Sequence, residues 1–363
     1  MDRSKIYEVY GSDPGVMTRA LLEAVRPEQE IPPGGLVVLK PNLAVSKPAE
    51  SGATTHPGIV GETIRYLREK GIDRMVILES SWIGDQTREA FRVCGYETVA
   101  QFYGVPLVDV KKDAYETKTV NGISMQISRT ALEADYLINF PVLKGHCQTK
   151  MTCALKNMKG CISDRSKREF HSLGLHRPIA ALNKALPCHL TVVDGLCGDL
   201  DFEEGGTPVA ANRMYCGWDP VLLDAYGASL LGYQPQEIPY ISMAAELGCG
   251  CCDLEQMSLM ELNHSQQGSA AVSSRRVRRL ERLVHASSAC SACYAALIHA
   301  LARLEDKELL GRLGEQLYIG QDYRGKALDQ VGIGSCCGNF TRCVAGCPPK
   351  ASDIVEALEE ELE

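Results

Sequence analysis

The chain lacks the motifs that announce nucleotide chemistry. It has no GxxxxGK[ST] phosphate loop, and no GxGxxG follows an apolar run, so nothing points to ATP or a nicotinamide cofactor. HExxH and a serine nucleophile elbow are absent, which removes two common hydrolase signatures. The opening residues, MDRSKIYEVYGSD, hold no apolar stretch, so no secretory signal is expected. No apolar run approaches the roughly 18 residues that span a bilayer. A net charge of -8 argues against non-specific nucleic-acid binding. Internal repeats and low-complexity linkers are missing too. These absences predict a cytoplasmic protein with no membrane and no nucleic-acid partner.

Cysteine, by contrast, is abundant, with sixteen in 363 residues. Cytosolic disulfides are rare, so metal or catalytic roles are the better reading, and so many thiols suit an anaerobic host. The apolar fraction of 45% is enough for a buried core.

Residues 1–265 alternate strand-like and helix-like segments. LVVLK (36–40), MVILE (75–79), VPLVDV (105–110), YLINF (136–140) and HLTVVD (189–194) are short apolar runs, as strands buried on both faces are. Asp13-Pro14 and Asp219-Pro220 each set a cap before a first-turn proline, and His56-Pro57 opens a further helix. VNGISMQIS (120–128) predicts a hairpin turning at Asn121-Gly122. This pattern predicts a Rossmann-like α/β fold with a mostly parallel sheet and flanking helices. Around 263–274 it breaks into Asn, Ser, Gln and Gly. The expected domains are therefore 1–265, α/β, and 266–363, a small, mainly helical, cysteine-rich domain.

Polar residues follow the predicted strands: Lys40-Pro41-Asn42, Glu79-Ser80-Ser81, Lys144-Gly145-His146 and Asp194-Gly195. Ligands of open parallel sheets bind beyond the carboxyl ends of the strands, so these segments are expected to converge on one crevice. Between Pro141 and Phe170 seven basic residues, among them Lys144, Lys156, Lys159 and Arg165, face two acidic ones, a local charge of +5. That reversal favours a carboxylate or phosphate ligand, which Arg grips bidentately and Lys attracts as a point charge. A solvated basic surface is the blander alternative. Asn157 adds a neutral donor and acceptor. His146 titrates near neutrality and suits general acid or base work. Lys40, Lys144 and His146 are the expected catalytic groups. Asn42, Glu79, Lys156, Asn157, Lys159 and Arg165 are the expected substrate-binding set.

The cysteines of the last quarter are spaced like ligands. Cys290-Ser-Ala-Cys293, Gly334-Ser-Cys336 and Gly346-Cys347-Pro-Pro together supply four thiolates for one iron–sulfur cluster, and a Pro after the last Cys recurs at such sites. CxxC alone also serves zinc and redox dithiols. Cys337 and Cys343 are rival ligands in the same stretch. Cys249, Cys251 and Cys252 are loop cysteines or a second metal site.

Lys40-Pro-Asn42, Thr55-His-Pro57, Glu79-Ser80, Pro141-Val-Leu-Lys-Gly-His146, Ala154-Leu-Lys-Asn-Met-Lys-Gly160, Asp194-Gly195 and Asp219-Pro-Val-Leu-Leu-Asp224 resemble the uncharacterised Fe–S centre protein family, defined by the domain of unknown function numbered 362. The resemblance spans residues 35 to about 260. It implies an α/β domain often joined to a cluster site, and no substrate. The CxxC, GxC, GCPP order is similar to the cluster-binding small subunits of nickel–iron hydrogenases and respiratory complex I. There it implies a 4Fe–4S cluster on Cys290, Cys293, Cys336 and Cys347, without the flavodoxin-like context those subunits carry.

The expected function is an iron–sulfur oxidoreductase that relays electrons to or from a small anionic organic molecule, or to a redox partner protein. One alternative is a non-redox lyase or hydratase using a cluster iron as Lewis acid. Another is a non-catalytic iron–sulfur binding or carrier protein.

Overall fold

Each apolar run identified above becomes a strand because its residues are buried on both faces. Val37 and Leu39 join a core with Met17, Leu21 and Leu22 on one side and Ile59, Val60 and Ile64 on another, while Val38, equally buried, faces the opposite way. In the computed structural model, which describes residues 2–200, 205, 208–264, 276–314 and 316–362, these strands build an eight-stranded sheet.

Its order is Ser258–Glu261, Lys5–Tyr10, Pro208–Gly217, Leu190–Asp199, Tyr136–Phe140, Val37–Pro41, Met75–Glu79, Leu107–Asp109. Both antiparallel pairings involve Pro208–Gly217, and all others are parallel. The fold is mixed α/β, with a large, mostly parallel sheet flanked by helices. Three of its strands escaped the sequence reading: KIYEVY, PVAANRMYCG and SLME mix polar and apolar residues and give no continuous run.

The helix starts follow their caps. Asp13 accepts hydrogen bonds from Gly15 N at 2.8 Å and Val16 N at 3.0 Å, and the helix runs Pro14–Val25. Such a cap contributes about 1 kcal/mol. His56 Nδ1 accepts from Gly58 N ahead of Pro57–Glu69, and Asp219 accepts from Val221 N and Leu222 N ahead of Pro220–Leu230. The hairpin Tyr115–Val120 and Ile123–Ser128 turns at Asn121 and Gly122, whose φ values of +48° and +76° suit the tight turn that matches strand twist.

The chain divides into two compact units, Met1–Lys167 with His176–Ser273, and Arg168–Leu175 with Ser274–Glu363. The sequence reading had placed residues 168–175 in the first domain. Helices Ser291–Asp306 and Ala351–Leu362 make up much of the second unit. Its organising element is a parallel sheet absent from the sequence reading, in the order Val284–Ala286, Leu317–Ile319, Val331–Ile333, Arg342–Val344. At three residues each, these strands are too short to register as runs. Among the described residues, no helix is long and apolar enough to cross a membrane.

Candidate functional site

The second unit gathers its thiols beyond the carboxyl ends of its short strands. Cys290 follows Val284–Ala286, Cys336 follows Val331–Ile333, and Cys347 follows Arg342–Val344. Cys293 lies in the first turn of the helix that Cys290 caps. Gly334, at φ +90°, and Gly346, at φ +144°, take backbone conformations that side chains disfavour. A Cβ on Gly334 would stand 3.9 Å from Cys293 Sγ and 3.5 Å from Gly346 O, so a side chain there would pack directly against that thiol and the Gly346 carbonyl.

Two of these thiols are shifted by their neighbours. Burial pushes the Cys293 thiol up to about 12, and nearby Cys290, Cys347 and Cys336 push it the same way. Cys290 is raised by burial, then by Cys336 and Cys347, against the lowering effect of a hydrogen bond from Gln321. Gln321 Nε2 donates to Cys290 Sγ at 3.3 Å, and Arg324 Nε donates to Cys336 Sγ at 3.4 Å. Sequence reasoning missed both donors. Their signal was positional: Gly320 directly follows the Leu317–Ile319 strand, as Gly334 follows its own.

The rival thiols have other engagements. Cys337 is fully buried under Tyr323 and Phe340 and donates to Tyr318 O at 3.5 Å. Cys343 donates to Gly334 O at 3.6 Å, and burial alone raises it. Among the described residues, no three His, Cys, Asp or Glu side chains are arranged to hold a single metal ion, Cys249, Cys251 and Cys252 included. Tetrahedral thiolates on one zinc lie about 3.8 Å apart, from a Zn–S bond of about 2.3 Å. A four-iron cluster is larger than one ion and takes its thiolates at its corners. The purely thiol donor set fits the cluster.

In the first unit several of the strand-end residues lie together, and they are largely bonded to each other. Lys40 is fully buried, with its Nζ 2.6 Å from Glu79 Oε2 and 2.7 Å from Pro41 O. Glu79 also accepts from Leu43 N at 3.1 Å and Ser80 N at 2.7 Å. Gly160 lies against this pair. A Cβ there would fall onto Glu79 Oε1 and within 2.5 Å of Lys40 Cε and Nζ.

Asn157 donates to Asn139 Oδ1 at 2.7 Å and sits 3.4 Å from Lys40 O. Lys144 Nζ donates to Ala53 O and lies 3.5 Å from Asn42 Oδ1. His146, on the same short strand, accepts at Nδ1 from Gln148 N and Thr149 N. Lys156 Nζ reaches Thr152 Oγ1 at 3.3 Å. Lys159 is half-buried, and Arg165 is exposed on the helix Asp164–Ser172.

Two further buried groups complete this network. Lys167 Nζ donates to Ser80 O at 3.0 Å, Ser81 O at 2.8 Å and Ser80 Oγ, and burial drops it to about 8. Asp194, pushed up by burial, accepts from His56 N at 2.9 Å and Leu196 N at 3.1 Å. Farther off, Asp224 is pushed by burial up to about 7 and accepts from Ala154 N at 2.6 Å. Most motif residues of this domain therefore serve the strand ends and helix starts themselves.

Residues 37–229 match the family described as domain of unknown function (DUF362). The thylakoid-associated protein sll1697 of Synechocystis sp. is 26% identical over 229 residues, which cover 60% of this chain and 70% of that one. Among solved structures, the lactate racemase apoprotein from Thermoanaerobacterium thermosaccharolyticum aligns with a TM-score of 0.43 and 15% identity, covering 64% of this chain and 57% of that one. A Thermotoga maritima protein aligns with a TM-score of 0.37 and 13% identity, covering 65% of this chain and 60% of its own. The chain thus spans less than two thirds of both solved structures. With more than half its length matched by the family, it belongs to the DUF362 proteins.

Proposed function

We propose that the second unit holds one 4Fe–4S cluster on Cys290, Cys293, Cys336 and Cys347, and that the protein is an electron-transferring oxidoreductase. The observation that carries this reading is the approach of four thiols from three loops beyond the ends of parallel strands, while Cys337 and Cys343 turn their hydrogens to carbonyls. When bound, such a cluster supplies a one-electron carrier. With cysteine on every iron no coordination position is left for a substrate, which favours electron transfer over Lewis-acid chemistry.

The chain's own residues supply the setting. Gln321 and Arg324 donate N–H groups to two of the sulfurs and spread their negative charge. Gly334 and Gly346 let the backbone come close to the sulfurs. A small anionic organic molecule would receive or give the electrons. A redox partner protein is the other terminus this chemistry allows.

The test is anaerobic purification with iron and sulfide counted and the reduced protein examined by electron paramagnetic resonance. Cys→Ala at 290, 293, 336 or 347 is expected to lose the cluster or change its signal, and Cys343→Ala to leave both intact. A full, unaltered cluster in Cys347→Ala overturns the assignment.

A further inference from the structure

Gln321 makes two hydrogen bonds from one nitrogen. Its Nε2 donates to Cys290 Sγ at 3.3 Å and to Ser172 O at 2.9 Å. A carboxamide nitrogen carries two N–H groups, so each acceptor takes one. Ser172 O can only accept, which fixes the atom facing it as nitrogen. The Gln321 backbone is held as closely. Its N–H donates to Ser288 O at 3.2 Å, and a Cβ on the preceding Gly320 would lie 1.8 Å from Ser287 O. Glycine at 320 therefore lets this loop pack on the one that leads to Cys290.

The other end of the bridge is remote in sequence. Ser172 lies in Arg168–Leu175, a segment of the second unit encoded within the family match 37–229. Its carbonyl ends the helix Asp164–Ser172, where the last carbonyls have no partner inside the helix. Phe170 and Leu175, both fully buried, anchor the segment on either side, and Gly174, at φ +73°, turns the chain between them. The chain enters the second unit at Arg168 and returns to the first at His176.

We infer that Arg168–Leu175 is a positioning segment for the cluster proposed above: the Ser172 carbonyl holds Gln321 so that its second N–H stays on Cys290. The inference rests on that cluster reading. The Gln321 side chain loses its rotational freedom once for two bonds, so each bond strengthens the other. An electron added to the cluster puts negative charge on its sulfurs and tightens the N–H bond to Cys290. By reciprocity the helix end at Ser172 is then held more firmly, and loosening that end weakens the bond to sulfur. The segment by which the chain enters the cluster unit thus responds to the redox state of the cluster.

The experiment is hydrogen–deuterium exchange of the full chain, purified anaerobically with iron and sulfide counted, read by mass spectrometry on the peptide spanning 168–175. Oxidised protein is compared with protein reduced by dithionite. Reduction is expected to slow exchange there by about twofold or more, a fraction of one net hydrogen bond. Gln321→Ala should speed it by about fivefold, the scale of one such bond, and abolish the difference between the two redox states. If Gln321→Ala loses the cluster, Gln321→Asn takes its place, since an amide on a side chain one carbon shorter does not reach both acceptors. Absence of iron and sulfide from the native protein overturns the cluster reading, and this inference with it. A reducible cluster with equal exchange in both states, or a redox difference that survives the loss of Gln321, overturns this inference alone.

Discussion

Beyond the strands of the first unit, Lys40 is fully buried against Glu79, and Lys167 is buried against the carbonyls of Ser80 and Ser81. Beyond the strands of the second, Cys347 is exposed, and Cys290, Cys293 and Cys336 are partly so. Both units obey the rule that polar chemistry collects at the carboxyl ends of parallel strands. In the first, opposite charges and hydrogen-bond partners are already matched inside the protein. In the second, like groups face each other, and Gln321 and Arg324 are the donors that meet them. A self-matched network holds a fold together, whereas a set of like donors calls for a cation from outside. The first unit is therefore expected to answer mutation with lost stability, and the second with loss of the cluster proposed for it.

The largest effect should come from breaking the buried ion pair. Lys40→Met leaves Glu79 charged, buried and short of its cation, which costs about 3–5 kcal/mol. Urea unfolding measures it. Adding Glu79→Gln should recover part of the loss, because the unpaired buried charge is gone while one of Leu43 N and Ser80 N, which donate to different oxygens, keeps the amide oxygen as acceptor. A loss below about 1 kcal/mol for Lys40→Met, the scale of an exposed pair, would break the comparison.

Next comes the pH response of Lys167, whose amine falls from 10.5 to about 8 on burial. Between about 8 and 10.5 the folded protein binds fewer protons here than the unfolded chain does. Stability from this group therefore rises with pH across that window, by up to about 3 kcal/mol, and is lost as pH falls through 8. Unfolding free energies of the native protein and Lys167→Met at pH 7 and pH 10 isolate the effect. Parallel curves would show that Lys167 is not desolvated.

A third contrast uses glycine. Gly160→Ala drives a methyl into the Lys40–Glu79 pair and should cost about 1–3 kcal/mol, as overfilling a packed interior does. In the second unit a Cβ on Gly311 would meet nothing within 4 Å, so Gly311→Ala should stay within about 0.5 kcal/mol of neutral. Equal effects at the two sites would remove the distinction between a filled and an open region.

The large sheet was legible wherever burial on both faces produced a run, as in MVILE and YLINF, and its helices wherever a cap met a proline. The strand KIYEVY was not, because its polar members Lys5 and Glu8 interrupt the run even though Glu8 is buried beside Arg213 and Tyr226. In the second unit the cysteine spacing was legible and the three-residue strands beneath it were not. The charge count erred differently. Counting +5 between Pro141 and Phe170 treats every lysine as open to a ligand, and Lys144 and Lys167 are instead buried among protein oxygens. Sequence shows which residues are charged, and only the fold shows what already faces them.

The smallest expected effect bears on the proposed cluster. Arg324 sits at the surface and donates to Cys336 Sγ, which raises the guanidinium's own proton affinity. One more electron on a thiolate-bound centre adds negative charge at the sulfurs, and a nearby cation with an N–H bond stabilises that reduced form preferentially. Arg324→Gln removes the charge, so the reduction potential should move to more negative values while iron and sulfide contents stay the same. Gln321→Ala, which removes a neutral donor from Cys290, should move it the same way by less. Potentiometric titration followed by electron paramagnetic resonance reads both shifts. A potential unmoved by Arg324→Gln would mean that the Arg324–Cys336 hydrogen bond is made only when the thiol carries no metal, and that the second unit rearranges around its cluster instead of receiving it preformed.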